Sequence, residues 1–283
     1  MNLKNKLMLI TGASSGIGAA TAKLAAREGV RVILVSRSGD KLERIANEIR
    51  ADGGQAYTYP ADLARPEAVT AMAAKVTAEL GTPDVLFNNA GVGRWLFAEE
   101  TNMDEATEMM AAPYLSAFYV TRAFLPAMLA RNSGTIVNMT SIAAFTTWPG
   151  ATAYTAARWA MRGFHEGLRA DLHGTGIRTM LTAFAKVQSD YWANNPGSNE
   201  KIPGAQKMIP VLTSEQAAKV ILRGIQRDRG FVAAPFMMYI VLTLNYLFPQ
   251  ITRWLLYTTS QKRTGIALTV ESKVPPSPTT RAD

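Results

Sequence analysis

Cysteine is absent from the chain, which excludes a disulfide framework, a thiolate metal site and a cysteine nucleophile. Histidine occurs only at His165 and His173, too few to build a structural zinc site without thiolates, so no metal is expected. Charge is also modest: 18% of the 283 residues are charged and 48% hydrophobic, a balance that excludes a disordered polymer. Acidic residues are the scarcer sign, 22 against 30 Lys and Arg, and the resulting +8 suits acidic phosphates, anionic lipid or plain solubility. No basic run with interleaved aromatics occurs, so no nucleic-acid partner is expected. The opening lysines precede an apolar run of only four residues, shorter than a secretory h-region, which makes the expected compartment cytoplasmic.

What is present is alternation. Apolar runs of strand length are expected at Leu7 to Ile10, Val30 to Val35, Ala56 to Tyr59, Val85 to Asn88, Thr135 to Met139, Arg178 to Ala183 and Phe231 to Ala233. Helical periodicity separates them, over Gly16 to Glu28, Asp40 to Ala51, Pro66 to Leu80, Pro113 to Arg131, Tyr154 to Leu172 and Ser214 to Arg227. This order predicts an α/β fold: a Rossmann-like, doubly wound parallel sheet of about seven strands with helices on both faces. Residues 1-234 are expected to form the dinucleotide-binding and catalytic domain. Within it, 186-213 lacks a period and reads as a substrate loop. An apolar helical extension is expected over 235-270 and a disordered tail over the Pro-rich 271-283. Asn245, Pro249, Gln250 and Arg253 interrupt the apolar stretch 235-257, which argues against a membrane span.

The strongest local signal is Thr11-Gly12-Ala13-Ser14-Ser15-Gly16-Ile17-Gly18, directly after the first strand and opening the first helix. Glycines there let the backbone turn sharply and approach a pyrophosphate, whose charge meets the free amides of the helix N-terminus. The second strand ends in Ser36-Arg37, where an acidic residue would select NAD and an arginine accommodates the 2'-phosphate of NADP. Arg37 therefore predicts NADP(H).

With these residues in view, about the first 235 positions resemble the short-chain dehydrogenase/reductase family. The resemblance rests on the Thr11 to Gly18 spacing, Asp62-Leu63 after the third strand, Asn88-Asn89-Ala90-Gly91 after the fourth, and Ser141 followed thirteen residues later by Tyr154. It implies cofactor contacts from Gly12, Ser14, Ser15, Gly16, Ile17, Gly18, Arg37, Asp62, Leu63, Asn89, Ala90, Gly91, Arg158 and Val187. It also implies Tyr154 as acid/base, Ser141 orienting the carbonyl, and a homodimer or homotetramer. A phenol of ordinary pKa near 10 is a poor proton donor and acceptor at neutral pH unless a cation favours the phenolate. The family supplies a lysine one helical turn on; here Arg158 stands there, keeping the charge but unable to hand on a proton. Pro113 falls where the family holds water with an asparagine, and Phe184-Ala185 where it has Pro-Gly. Lys186, close behind, is a candidate to supply part of the missing ammonium.

Trp95, Phe145, Trp148, Tyr191 and Trp192 lie in segments beyond strand C-terminal ends, the edge where ligands bind in open α/β sheets. They predict a bulky lipophilic substrate. The chain thus reads as an NADP(H)-dependent oxidoreductase acting on a lipophilic ketone or aldehyde and its alcohol. A non-redox isomerase, lyase or cyclase on the same scaffold and a non-catalytic cofactor-binding protein are the alternatives. Residues 235-257 are expected to cover the cleft, join subunits, or rest on a membrane with Arg253, Lys262 and Arg263 toward headgroups.

Overall fold

A computed structural model describes residues 1–189, 191–195 and 197–260; the expected tail 271-283 and the end of the expected extension, 261–270, lie outside them. In chain order the elements are β1 (Leu7–Thr11), α1 (Gly16–Arg27), β2 (Arg31–Ser36), α2 (Gly39–Ala51), β3 (Gln55–Pro60), α3 (Pro66–Leu80) and β4 (Val85–Asn88). They continue with α4 (Met103–Met110), α5 (Ser116–Ala130), β5 (Gly134–Ser141), α6 (Thr152–Asp171), β6 (Ile177–Phe184), β7 (Val187–Gln188) and α7 (Tyr191–Asn194). The last are β8 (Leu212–Thr213), α8 (Ser214–Gln226), β9 (Phe231–Ala234), α9 (Met237–Leu247) and α10 (Pro249–Thr259).

Seven strands pair in parallel in the order β3-β2-β1-β4-β5-β6-β9. Their continuous apolar runs follow from burial on both faces. On β1, Met8 and Ile10 pack with residues of α1, α2 and α8, whereas Leu7 and Leu9 pack with residues of α3, α5 and α6. Strand order reverses between β1 and β4, opening a crevice at their C-terminal ends.

Three departures from the expected pattern shape that crevice. The helix expected from Pro113 starts instead at Ser116, and Pro113 is buried in a π-helical turn, Ala111–Leu115, that joins α4 to α5. Proline brings no N–H to the i→i−4 ladder, so a nearly continuous helix widens at that point. The irregular stretch 186-213 carries its own structure: β7 pairs with β8, and α7 and two single-turn helices lie between them. Ser198 Oγ accepts the Trp95 N–H at 2.9 Å, and the ammonium of the buried Lys201 pairs with Glu100, so this segment is fastened across the crevice. The apolar stretch after β9 breaks at Phe248-Pro249 into α9 and α10. Among the described residues no helix is long and apolar enough to cross a membrane.

Candidate active site

The turn after β1 needs its glycines. Gly12 and Gly16 have φ of 64° and 54°, in the left-handed region, and a Cβ on Gly18 would lie 2.4 Å from the Gly12 carbonyl oxygen. The segment after β4 locks onto this turn. Thr11 Oγ1 accepts the backbone N–H groups of Asn89 and Ala90 at 2.9 Å each, while Asn89 Nδ2 donates to Thr11 O at 2.9 Å and Gly12 O at 3.3 Å. No side chain caps the first turn of α1, so its amide groups are left for an anion.

Beneath the turn runs a buried polar chain linking β4, α5, β5 and α6. Asn88 Nδ2 donates to Thr121 Oγ1 at 3.0 Å and to Asn138 Oδ1 at 2.9 Å, and Asn138 Nδ2 lies 3.3 Å from His165 Nδ1. Burial pushes the His165 pKa down to about 4, so the ring is neutral and its Nδ1 accepts from Asn138. His173 is exposed just past the end of α6.

One cleft of about 590 Å³ gathers most of the residues singled out in the sequence. Every expected cofactor contact except Gly18 lines it; Gly18 instead packs under Gly12 and Asn89. Arg37 stands at one end with no ion pair among the described residues. Lys41, the third residue of α2, lines the same cleft and was not singled out by sequence.

At the other end Ser141 closes β5, its Oγ accepting the Ala143 N–H at 3.3 Å, and Tyr154 and Arg158 follow on α6 one turn apart. Both are only 6% exposed. The Arg158 guanidinium carbon sits 4.8 Å from the centroid of the Tyr154 ring. Arg158 Nε is buried without a hydrogen-bond partner, and a Cβ on Gly91 would come within 3.1 Å of the guanidinium. A buried cation lacking a carboxylate is costly unless a bound group supplies oxygen acceptors, and the sugar and phosphate oxygens of a dinucleotide fit that requirement.

Around Tyr154 the aromatic lining is continuous. Trp95 lies 5.7 Å from Tyr154, 4.9 Å from Trp148 and 5.6 Å from Trp192, centroid to centroid, and Trp192 lies 5.3 Å from Tyr191. The Tyr191 hydroxyl donates to Gly93 O. Burial, and then the neighbouring Tyr154, hold the Tyr191 pKa well above its usual value, so it stays a neutral donor.

One expectation is corrected. Phe145 does not line this cleft: it faces a second cavity, with Phe231 at 5.7 Å and the Arg162 guanidinium at 4.3 Å, because the turn Ile142–Ala144 carries it toward β9 and α9. Lys186 lines the cleft, its ammonium held by Asn199 Oδ1 at 2.5 Å and by the Trp192 ring at 4.8 Å. At the π-helical turn, Ser116 and Glu108 line the cleft, neither of which the sequence reading singled out.

Comparison with known proteins agrees with this geometry. The model of the short chain dehydrogenase family matches residues 6–199. An uncharacterized oxidoreductase of Mycobacterium tuberculosis is 35% identical over 239 residues, 83% of this chain and 68% of its own. Estradiol 17-beta-dehydrogenase 11 of Mus musculus is 30% identical over 254 residues, 88% of this chain and 82% of its own. Among solved structures, a metagenomic short-chain oxidoreductase in complex with NADP superposes with a TM-score of 0.68 at 31% identity, covering 82% of this chain and 96% of that one.

Proposed function

The chain belongs to the short-chain dehydrogenase family, and from that premise we propose that it is an NADP(H)-dependent oxidoreductase interconverting a lipophilic ketone or aldehyde and its alcohol. The observation that carries the reading is Tyr154, buried among aromatic rings, with the otherwise unpaired Arg158 cation over its face in the cleft that the glycine turn opens. The mouse relative's name as an estradiol 17-beta-dehydrogenase and the NADP bound by the metagenomic relative support the substrate and cofactor classes.

The residues divide the work along the cleft. The first-turn amides of α1, with Ser14 and Ser15, would hold the pyrophosphate, and Arg37 with Lys41 would hold the 2'-phosphate by charge. The nicotinamide, when bound, supplies or takes up the hydride. Tyr154 delivers its phenolic proton to the substrate oxygen in reduction and takes it back in oxidation, while Ser141 donates a hydrogen bond to the same oxygen. Arg158 stabilises the phenolate that forms and bonds sugar hydroxyls, but it keeps its own protons. Reprotonation of Tyr154 therefore does not draw on this side chain. Trp95, Trp148 and Trp192 exclude water from the reacting face and give an apolar group its place.

The test is titration of the protein with NADPH and NADH, followed by tryptophan fluorescence, and then turnover of lipophilic carbonyl compounds. NADPH-selective binding with hydride transfer that collapses in Tyr154→Phe is the expected result; no binding of either nucleotide sinks the reading. A non-redox enzyme is the second reading, favoured by Pro113, which offers no side-chain donor or acceptor beside the cleft. Substrate conversion without any change in nicotinamide absorbance is its signature.

A further inference from the structure

We infer that α9 and α10 form a membrane-surface anchor that docks the mouth of the cleft onto anionic phospholipid. The two helices stand out from the rest of the surface. Ile240, Leu244 and Leu247 on α9, with Ile251 and Trp254 on α10 and Phe248 between them, are 45% to 64% exposed. The spacings 240, 244, 247 and 251, 254 put each set on one helix face. Isolated exposed apolar residues need no explanation, but a contiguous set of this size marks an interaction surface.

The occupant follows from charge, polar bonding and length. No Asp or Glu occurs from Arg229 through Val270, whereas Arg253, Lys262 and Arg263 do. That pattern is complementary to anionic headgroups. A second copy of the chain would leave Arg253 of each copy facing a surface whose helices α9 and α10 hold no carboxylate to pair with it. The threonine hydroxyls on α10 are satisfied internally: Thr258 and Thr259 donate to Trp254 O and Leu255 O at 2.8 Å each, and Thr252 donates to Asn245 Oδ1 at 2.8 Å. Polar groups bonded in this way tolerate a medium without water. Each helix has 11 residues, about 16 Å at 1.5 Å per residue and half the roughly 30 Å hydrocarbon core. The pair is therefore built to lie in the interface, where aromatic side chains such as Trp254 are favoured.

Its position gives the docking a purpose. Ala205 N donates to Thr259 Oγ1 at 3.3 Å, tying α10 to the turn whose Gln206 lines the cleft. Leu242 and Leu256 pack into the same cluster as Trp95 and Tyr154. A lipophilic substrate dissolved in the bilayer would thus enter beside the anchor; this last step rests on the proposed function, while the docking does not.

The experiment is co-sedimentation of the 283-residue chain with vesicles of phosphatidylcholine alone and of phosphatidylcholine mixed with phosphatidylglycerol. Binding to the mixed vesicles, weakened by salt, is expected. Arg253→Gln should weaken it about fivefold, and Ile251→Ser with Trp254→Ser by more than about a hundredfold. NADPH titration of the same samples reports that the variants are folded and tests the functional reading separately. Wild-type protein that stays in the supernatant with both vesicles overturns the proposal. So does a serine variant that changes from dimer to monomer in analytical ultracentrifugation while vesicle binding is unaltered.

Discussion

Arg158 lies with its guanidinium carbon 4.8 Å from the Tyr154 ring centroid, and the two side chains are the charged and the titratable halves of one buried unit. Cation and ring attract in any case, and burial strengthens the pair because water does not screen it. The functional content is separable from the packing content. Arg158→Lys keeps charge but loses the planar stack, whereas Arg158→Met keeps volume and loses charge. We expect Arg158→Met to lower kcat by roughly a hundredfold or more, the size of a general acid–base contribution, and Arg158→Lys to retain most of it. Steady-state kinetics at neutral pH checks this, and equal losses in both variants would refute the electrostatic role.

The choice of nucleotide rests on the other end of the cleft. Arg37 is exposed, lacks an ion pair among the described residues, and lines the cleft together with Lys41. A charge-assisted bond to phosphate contributes roughly 1.5–3 kcal/mol. Arg37→Ala should therefore weaken NADPH binding by about ten- to a hundredfold and leave NADH binding nearly unchanged. Isothermal titration with both nucleotides reads the difference directly. A parallel loss for NADH would mean that Arg37 holds the loop rather than the phosphate.

These two ends of the site were unequally legible from sequence. Strands buried on both faces write continuous apolar runs, so the seven-strand sheet could be read from β1 to β9, and the glycine turn carried its own signature between strand and helix. Ser141, Tyr154 and Arg158 were picked out through the resemblance alone, by the thirteen-residue step from Ser141 to Tyr154 and the four-residue step on to Arg158. Phe145 was misplaced because its direction is set by ring packing against Phe231 and by the Asn245 Nδ2 that donates to its carbonyl, about 90 and 100 residues away in sequence. The π-helical turn at Pro113 was missed because α4 supplies a helix before the proline, and Met103–Met110 is too short to write a strong period. Lys186 drew attention by closeness in sequence, yet Asn199 and Trp192, both in the same loop, take its ammonium.

The loop closing over the aromatic lining gives a third prediction. Tyr191 donates to Gly93 O, and Gly93 abuts the Tyr154 ring, so one hydroxyl holds α7 against the wall of the active site. Removing it costs on the order of 1–2 kcal/mol locally, since Gly93 O then lacks a donor. Tyr191→Phe should raise KM for bulky substrates severalfold and loosen the 186-213 segment, seen as faster amide exchange there. NADPH affinity should be unchanged, because the glycine turn is bonded through Thr11 and Asn89 instead. An unaltered KM would show that the segment is held by Ser198 and Lys201 alone.

His165 makes stability depend on pH in a defined window. Burial is the main cause of its depressed pKa, about 4 against an ordinary 6.5, with Glu166 and Arg169 acting in opposite directions. The unfolded ring takes up a proton as pH falls below 6.5, whereas the folded ring resists until about 4. Stability is therefore full above 6.5 and declines between 6.5 and 4, by about 2 kcal/mol at pH 5 and about 3 kcal/mol in all. Glu43, Glu48, Glu67 and Glu215, whose pKa values are lowered mainly by hydrogen bonds, begin to lose their contribution only as pH falls through their ordinary 4.5. Urea midpoints at pH 7 and pH 5 thus isolate the histidine. His165→Gln keeps an acceptor for Asn138 Nδ2 and does not titrate, so it should flatten the difference between the two pH values. If the variant retains the full decline, another buried group carries the proton, and the polar chain from Thr121 to His165 is not the acid-sensitive element of the fold.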